Sequence, residues 1–225
     1  MTSWGGGTVV TNTSGRASNS AINPALNHTR TELESMVKRW IQANADAEAE
    51  RNWRKHLGPF YAVDAEYRWG VGHKEEFVAL GRTQIEQWAL DVQIRGFEAW
   101  TYPYQRVIID ECRGEVVAYW KQVAPFRRKD GRRYEVAGLC SSWFRYAGDF
   151  KWSRQEDFFD LGNIVALLAE LAADGHLNEI VKRKIQSVAH GRPLSGHRPL
   201  AHGKQSLFRK IQCQVAMAKI AVLGR

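Results

Sequence analysis

The stretch 150–159 contains the side chains whose types and spacing are best suited to chemistry. Its composition is typical of a β-strand, in which alternate residues point to opposite faces. One face then carries Ser153, Gln155, Asp157 and Phe159. If this face borders an aromatic-walled cavity, a carboxylate on it loses solvation, and its pKa rises toward the range useful for proton transfer at neutral pH. Asp157 is therefore a candidate acid or base. The alternative is a structural role, in which it only accepts hydrogen bonds from a neighbouring strand or helix.

Aromatic and amide side chains on other predicted strands are further candidates. Trp120 and Gln122 share one face of a middle strand, and Trp143 is assigned to the same cavity from the next strand. A register shift of one residue would replace the first two by Tyr119 and Lys121. One carboxylate among hydrogen-bond donors suits enolisation, isomerisation, cyclisation, or the addition and removal of water.

Motifs for other kinds of chemistry are missing from the sequence. It has no Gly-rich phosphate loop, no Ser-His-Asp arrangement and no dinucleotide fingerprint. The three cysteines are far apart and have no histidine partner at metal-ligand spacing, which argues against a zinc site or a disulfide framework. We therefore expect no cofactor and no metal.

The elements that must position these residues follow from hydrophobic periodicity and turn signals. The predicted helices span 31–45, 47–55, 75–96 and 160–175. The predicted strands span 60–69, 101–110, 115–125, 132–146 and 150–159. The short connections between the last four strands predict an antiparallel meander, and Asp160 is a good N-cap for the helix that follows.

The two ends of the chain differ in composition from its middle. Residues 1–28 are rich in Gly, Ser, Thr and Asn, which predicts a flexible arm ahead of a pocket domain at 29–175. Residues 176–225 form a basic extension with a short helix at 176–189 and an amphipathic segment at 205–223. No acidic residue follows Glu179, whereas ten basic residues do. Since the net charge of the whole chain is +8, residues 1–179 carry a net charge of 8 − 10 = −2.

Three interpretations of the basic extension stay open. It could pack on the domain or on a second copy, contact an acidic membrane surface or nucleic acid, or be a mobile tail. Its near lack of aromatic residues weakens a base-stacking role, so we expect no specific nucleic-acid binding. No run of 18 apolar residues and no secretory signal is visible, which predicts a cytoplasmic location.

Two motifs resemble the SnoaL-like branch of the nuclear-transport-factor-2-like superfamily, which includes limonene epoxide hydrolase, ketosteroid isomerase and polyketide cyclases. The residues D-A-E-Y at 64–67 and G-R-T-Q-I at 81–85 are similar to the "D-x-x-Y…G-R-x-x-I" segment common there. The residues Q-E-D-F-F-D-L at 155–161 look like the closing "W-R-D-Y-F-D-L" strand of the epoxide hydrolases. The resemblance extends over residues 29–175.

The resemblance implies a cone-shaped α+β barrel, in which a strongly curved antiparallel sheet wraps around N-terminal helices and encloses an apolar pocket. It implies a hydrophobic small-molecule substrate and a homodimer. An apolar strand face carrying Tyr102, Tyr104 and Tyr134 is compatible with such a dimer. By the same resemblance Asp157 is the catalytic acid or base, and Tyr67 positions a water or a substrate oxygen. Gln155, beside Asp157 on the same face, is a further candidate for that second role. The expected pocket wall consists of Tyr61, Trp69, Trp88, Trp120, Gln122, Trp143 and Phe159.

The sequence also departs from the epoxide hydrolases at three places. Those enzymes resemble one another in an arginine and an aspartate two apart on a middle strand, whereas residues 119–123 here contain no carboxylate. Trp69 stands where they carry an asparagine, and Gln155 where they carry a tryptophan. Two hypotheses follow: a cofactor-independent acid/base enzyme of the isomerase, cyclase, dehydratase or epoxide hydrolase type, or a non-catalytic module that binds a ligand or a protein partner.

Overall fold

A computed structural model describes residues 28–71, 75–190, 192, 194–200, 211, 212 and 215. The helices are α1 (Arg30–Glu50), α2 (Trp53–Leu57), α3 (Arg82–Gln84), α4 (Leu161–Ala173) and α5 (Glu179–Ala189). The strands are β1 (Tyr61–Val71), β2 (Glu75–Leu80), β3 (Tyr104–Asp110), β4 (Glu115–Trp120), β5 (Val123–Arg127), β6 (Arg133–Glu135), β7 (Cys140–Gly148), β8 (Lys151–Phe158) and β9 (His197–Pro199). A 3₁₀ turn (Gly58–Phe60) precedes β1, and a π-helical segment (Ile85–Val92) continues α3.

Helix α1 is longer than predicted at both ends. The hydroxyl of Thr29 accepts a hydrogen bond from the backbone N–H of Glu32 at 3.2 Å, so the N-cap lies two residues ahead of the predicted start. Arg51, with a φ of 53°, ends the helix in the left-handed conformation. The buried residues Leu33, Met36, Trp40, Ala43 and Ala47 recur at helical spacing and form the stripe that packs into the sheet.

The main sheet has seven strands in the order β3-β4-β7-β8-β1-β2-β9. Neighbouring strands are antiparallel except for β1 and β8, which pair in parallel. Strands β5 and β6 form a separate two-stranded sheet. The predicted fold class is confirmed: the domain is an α+β fold whose large sheet curves around α1.

The prediction of a single helix over 75–96 is wrong in its first part. Residues 75–80 form β2, which pairs with β1, and Phe77, Val78 and Ala79 are all buried. A strand buried on both faces shows no alternation, so its pattern can be mistaken for part of a helix. Gly81, with a φ of 78°, ends the strand and donates its N–H to the carbonyl of Ala65 before the helical segment begins.

Two of the predicted strands are each divided in the structure. The chain leaves β4 after Trp120 and starts β5 at Val123, and the predicted strand 132–146 is split into β6 and β7. The β5–β6 hairpin is tied to α4 because Arg128 donates two hydrogen bonds of 2.6 Å to Glu170. Asp160 caps α4 as predicted, since its carboxylate accepts from the N–H of Asn163 at 3.2 Å.

The end of the chain contains one element that the sequence did not predict. Strand β9 lies at the sheet edge beside β2, between the predicted helix at 176–189 and the predicted amphipathic segment at 205–223. The predicted N-terminal arm, apart from His28, and most of the amphipathic segment 205–223 lie outside the described residues. In the part of the chain that the structure describes, none of the helices combines the length and apolar character needed to cross a membrane.

Trp40 of α1 occupies the centre of the core. Its ring makes edge-to-face contacts with those of Phe60, Tyr61, Phe144 and Trp152, at centroid distances between 5.5 and 6.2 Å. These contacts join α1 to β1, β7 and β8. The helix is thereby fixed against the concave face of the sheet and forms one wall of the cavity beside it.

Candidate functional site

A cavity of about 280 Å³ lies between the concave face of the sheet and the helices α1, α2 and α4. The π-helical segment contributes Ala89 and Leu90 to its wall, and α4 contributes Ile164 and Leu168. Half of the remaining lining residues are aromatic: Trp40, Trp53, Tyr61, Tyr67, Trp69, Phe97, Trp100, Tyr102, Tyr104, Trp120 and Phe159. Such a concave, mainly apolar site with a few polar groups is typical of small-molecule binding.

The structure brings together eight of the ten residues that were predicted for the site. They are Tyr61, Tyr67, Trp69, Trp120, Gln122, Gln155, Asp157 and Phe159, all of which line the cavity. The prediction that Trp120 and Gln122 face the cavity is therefore correct, and the alternative register is excluded. Trp143 and Trp88 do not line it.

Trp143 lies on the opposite, outer face of the sheet, so its assignment to the pocket wall is wrong. On β7 the buried inward residues are Ser142, Phe144 and Tyr146, and Trp143 falls between them. Its indole N–H donates to a carboxylate oxygen of Glu115 at 3.2 Å. An indole can occupy an outer face because guanidinium groups, here those of Arg145 and Arg154, cover its ring.

Trp88 is the second wall residue that the structure contradicts. It is half-buried in the π-helical segment and packs against the hydrophobic core, while its neighbours Ala89 and Leu90 reach the cavity. Helical periodicity assigned it to the inner face. The hydrogen bonds of a π-helix join residues i and i+5, so the angle between successive side chains differs from that in an α-helix.

A bulge in β8 changes which residues share the face of Asp157. Alternation predicted Ser153 on that face and Trp152 on the other, yet Trp152 is fully buried against Trp40 on the concave side. The pairing register of β8 with β7 shifts between Arg145 and Tyr146. Ser153 is the extra residue on β8, so the alternation is reversed before it, and the residues after it keep their predicted faces.

Asp157 is buried, with 4% of its surface exposed, and accepts three hydrogen bonds. The β7–β8 register places Ser142 directly opposite, and its hydroxyl donates to Oδ1 at 2.6 Å. The amide of Gln155 donates to the same oxygen at 2.9 Å. The hydroxyl of Tyr67, on the parallel neighbour β1, donates to Oδ2 at 2.6 Å. All three donors are uncharged.

Two outer donors fix the direction of this network. The indole N–H of Trp120 donates to the Ser142 hydroxyl at 2.9 Å, so the hydroxyl proton of Ser142 is directed to the carboxylate. The hydroxyl of Tyr61 donates to the carbonyl oxygen of the Gln155 side chain, which leaves the amide nitrogen turned toward Asp157. Flipping that amide would break both bonds, so the orientation is determined by its neighbours.

Burial raises the pKa of the Asp157 carboxyl from an ordinary 3.8 to about 6, because the charged form loses its hydration. The hydrogen bonds from Gln155, Ser142 and Tyr67 act in the opposite direction and limit the rise. Burial, followed by the nearby charge of Asp157, also raises the pKa of both Tyr61 and Tyr67 well above its ordinary value. At neutral pH the site therefore contains one carboxylate and neutral phenols.

Several cavity residues were not predicted from the sequence. Ser142 could have been found from the alternation of β7, had Phe144 and Tyr146 been taken as the inward residues. Trp40 and Tyr104 were missed because they come from α1 and an edge strand far apart in sequence. The indole N–H of Trp40 donates to the Tyr104 hydroxyl at 2.7 Å.

The tyrosines expected on an exposed face for dimerisation lie elsewhere. Tyr102 and Tyr104 line the cavity, and burial raises the pKa of each hydroxyl strongly. Tyr134 is buried beneath α4 and donates to Asp174 at 2.6 Å. A face built from these three residues is therefore not available to a partner. Among the described residues, no group of three or more His, Cys, Asp or Glu side chains is arranged to hold a metal ion.

No protein-family model and no curated protein sequence matches the chain. Solved structures do. A protein from Jannaschia sp. CCS1 described as a SnoaL-like polyketide cyclase is 16% identical, with a TM-score of 0.47, over 63% of this chain and 95% of its own. An NTF2-like protein from Anabaena variabilis ATCC 29413 is 16% identical, with a TM-score of 0.44, over 60% of this chain and 93% of its own.

The epoxide hydrolase/cyclase-like enzyme SalBIII, described as acting in pyran ring formation in the polyether salinomycin, is 11% identical with a TM-score of 0.43. It matches over 59% of this chain and 94% of its own. At these identities and TM-scores the likeness carries no information about substrate or reaction. The solved structures similar to this chain include SnoaL-like, NTF2-like and epoxide hydrolase/cyclase-like proteins, the superfamily that its sequence motifs resemble.

Proposed function

We propose that the protein is a cofactor-independent acid/base enzyme that acts on a hydrophobic small molecule, with Asp157 as the group that moves the proton. The observation that carries the proposal is a buried carboxylate with a pKa of about 6 at the wall of an aromatic cavity. A base of this pKa is largely ionised at neutral pH, and its conjugate acid is still strong enough to return the proton.

The hydrogen bonds indicate which oxygen of Asp157 is the base. A carboxylate oxygen has two acceptor sites. Those of Oδ1 are used by Ser142 and Gln155, whereas Oδ2 accepts only from Tyr67 among the described residues. The remaining site on Oδ2 can take a proton from a carbon acid or a water molecule and later return it to the product. Isomerisation, cyclisation, dehydration and hydration each need this step.

Tyr104 supports the proposal as a donor to a substrate oxygen. Tyr67 and Gln155 were expected in this role, but their donors are directed to Asp157. Tyr104 lines the cavity and accepts from Trp40, and within the described part of the chain its own proton has no acceptor. A hydroxyl that already accepts from an indole is a better donor, which suits negative charge developing on a substrate oxygen.

A second candidate function is ligand binding without catalysis. One observation favours it: Asp157 is the only carboxylate among the described residues that line the cavity, and the arginine–aspartate pair of the epoxide hydrolases has no counterpart at 119–123. A binding module would need Asp157 only to orient the ligand, and Asp157→Asn would then change affinity without any turnover to lose.

The test is turnover of a panel of terpene epoxides, Δ5-ketosteroids and β-dicarbonyl compounds, followed by mass spectrometry. Wild type is compared with Asp157→Asn, which keeps the shape of the side chain. The control is Glu156→Gln, which removes the adjacent carboxylate from the outer face of β8. Turnover by wild type and the control but not by Asp157→Asn is expected. Equal turnover by all three would remove Asp157 from the mechanism.

A further inference from the structure

The charge balance of the cavity points to a class of ligand. No lysine, arginine or histidine is found among the described residues that line it, and Asp157 is the only one of these residues that carries a charge at neutral pH. The three donors to Asp157 are a hydroxyl, a phenol and an amide. A buried carboxylate is normally balanced by a cation, and here the protein supplies none at the cavity wall.

The carboxylate also has a place for a cation. The unused acceptor site on Oδ2 belongs to Asp157, which lines the cavity. A ligand N–H can therefore reach it without displacing Tyr67. The ligand would also leave the hydrogen bonds from Ser142 and Gln155 to Oδ1 in place, so the network remains intact.

The aromatic wall favours positive charge as well. The faces of aromatic rings carry negative potential and attract cations, and ligands with ammonium groups are commonly held in cages of such rings. Trp69 stacks on Phe77 at a centroid distance of 3.6 Å, which fixes the orientation of its indole. Phe159 is in edge contact with both Trp69 and Trp120 beside Asp157. The rings next to the carboxylate are therefore held in place before any ligand binds.

We propose that this cavity selects hydrophobic ligands with an organic ammonium group, which pairs with Oδ2 of Asp157 inside the aromatic wall. A neutral ligand of the same shape leaves the carboxylate unbalanced, and an anionic ligand adds a second negative charge beside it. Hydrophobic amines are thus preferred over alcohols and ketones, and carboxylates are excluded. The proposal rests on the proposed function only in taking this cavity as the ligand site, and it requires no turnover.

The test is isothermal titration calorimetry at pH 7.5 with three compounds of similar size. They are 1-naphthylmethylamine as the cation, 1-naphthylmethanol as the neutral compound and 1-naphthoate as the anion. We expect the amine to bind about tenfold or more tightly than the alcohol, in line with a desolvated cation–aromatic contact. We expect no measurable binding of naphthoate.

Matched variants assign the preference to one carboxylate. Asp157→Asn should bring the affinities of amine and alcohol to within about threefold of each other, because only the amine loses a charge partner. Glu156→Gln makes the same change of net charge on the outer face, where Glu156 pairs with Arg154 at 3.1 Å, and should leave the preference unchanged. Equal effects of the two variants would show a long-range charge effect and overturn the proposal.

A pH comparison in the wild type keeps the proposal falsifiable should Asp157→Asn not fold. Lowering the pH from 7.5 to 5 should reduce the affinity for the amine by about tenfold, as Asp157 becomes protonated, and leave that for the alcohol unchanged. The groups that face Asp157 from β1, β3, β4, β7 and β8 are Tyr61, Tyr67, Tyr104, Trp120, Ser142 and Gln155, and those that titrate have pKa values raised above their ordinary range. The adjacent Glu156 lies on the outer face.

Three results would overturn the proposal: no binding of the amine, an alcohol that binds as tightly as the amine, or an amine preference that survives both Asp157→Asn and low pH. The binding selectivity and the proposed enzymatic function can be tested separately. An amine preference without turnover of the compound panel would sink the proposed enzyme and leave the charge selectivity standing. Turnover of neutral compounds without any amine preference would support the proposed enzyme and overturn the charge selectivity.

Discussion

Ionised Asp157 is expected to reduce the stability of the folded protein at neutral pH. Its folded-state pKa of about 6 lies above the ordinary value of 3.8, so the folded chain binds this proton more tightly than the unfolded chain. Stability from this group is fully present below pH 4 and is lost as the pH rises through 6. The difference of about two units between these pKa values, at 1.36 kcal/mol per unit, corresponds to about 3 kcal/mol.

Asp157→Asn removes this titration and leaves the other ionisable groups in place. The free energy of unfolding of the variant, relative to wild type, should therefore increase by about 2 kcal/mol between pH 4 and pH 7, since the carboxyl of the unfolded chain is already partly ionised at pH 4. Any fixed cost of the new amide, such as a weaker bond to Tyr67, is the same at both ends and cancels in this comparison. The change with pH is thus a cleaner measure than either value alone.

The assay is urea denaturation at four pH values between 4 and 7.5, followed by tryptophan fluorescence, for wild type and Asp157→Asn. The difference in unfolding free energy should increase with pH and level off above 7. A difference that does not vary with pH would mean that Asp157 has an ordinary pKa. A difference that falls with pH would mean that the folded state stabilises the ionised form, contrary to the raised pKa described above.

Three further predictions concern the surroundings of the carboxylate and the outer face. Tyr67→Phe removes the donor to Oδ2 and should raise the pKa of Asp157 further, by about one unit, as followed by carboxyl-carbon NMR titration; an unchanged or lower pKa would refute the role of that bond. Phe77→Ala should destabilise the fold by about 3–5 kcal/mol in urea denaturation, since Phe77 is fully buried and stacks on Trp69, and a loss below about 1 kcal/mol would contradict this packing. Trp143→Glu should weaken the expected homodimer in sedimentation velocity, because Trp143 is a large aromatic side chain on the outer face of the sheet; a monomeric wild type would contradict the expectation.

The sequence predicts the site best where strand alternation is regular. Alternation placed Gln155 and Asp157 on one face of the strand, and the family resemblance placed that face at the pocket. Both residues line the cavity, since nothing interrupts β8 beyond its bulge. Trp152 lies before the bulge and was assigned to the wrong face. Since a bulge arises from one extra residue in a pairing that the sequence does not display, the parity before it could not have been inferred.

Hydrophobicity alone misled the prediction at two other positions. Trp143 was assigned to the cavity as an aromatic residue, but its outer location depends on cover from Arg145 and Arg154, which come from different strands. Phe77 was assigned to a helix because three consecutive buried residues on β2 have no alternation. In both cases the deciding factor is the packing of one strand against its neighbour, β8 for Trp143 and β1 for Phe77, which periodicity within one segment does not report.

The most direct test of the account is the pH dependence of kcat/KM for a compound that the wild type turns over. The account predicts that kcat/KM rises with pH through a single ionisation near 6 and is constant above 7, because Asp157 must be ionised to accept the proton. It also predicts that Asp157→Asn is inactive throughout this range. Glu156→Gln should stay active, with its curve displaced slightly to lower pH, because the charge of Glu156 contributes to the raised pKa of Asp157. A rate that does not change between pH 5 and 8, or an Asp157→Asn variant with undiminished activity, would contradict the assignment of Asp157 as the base.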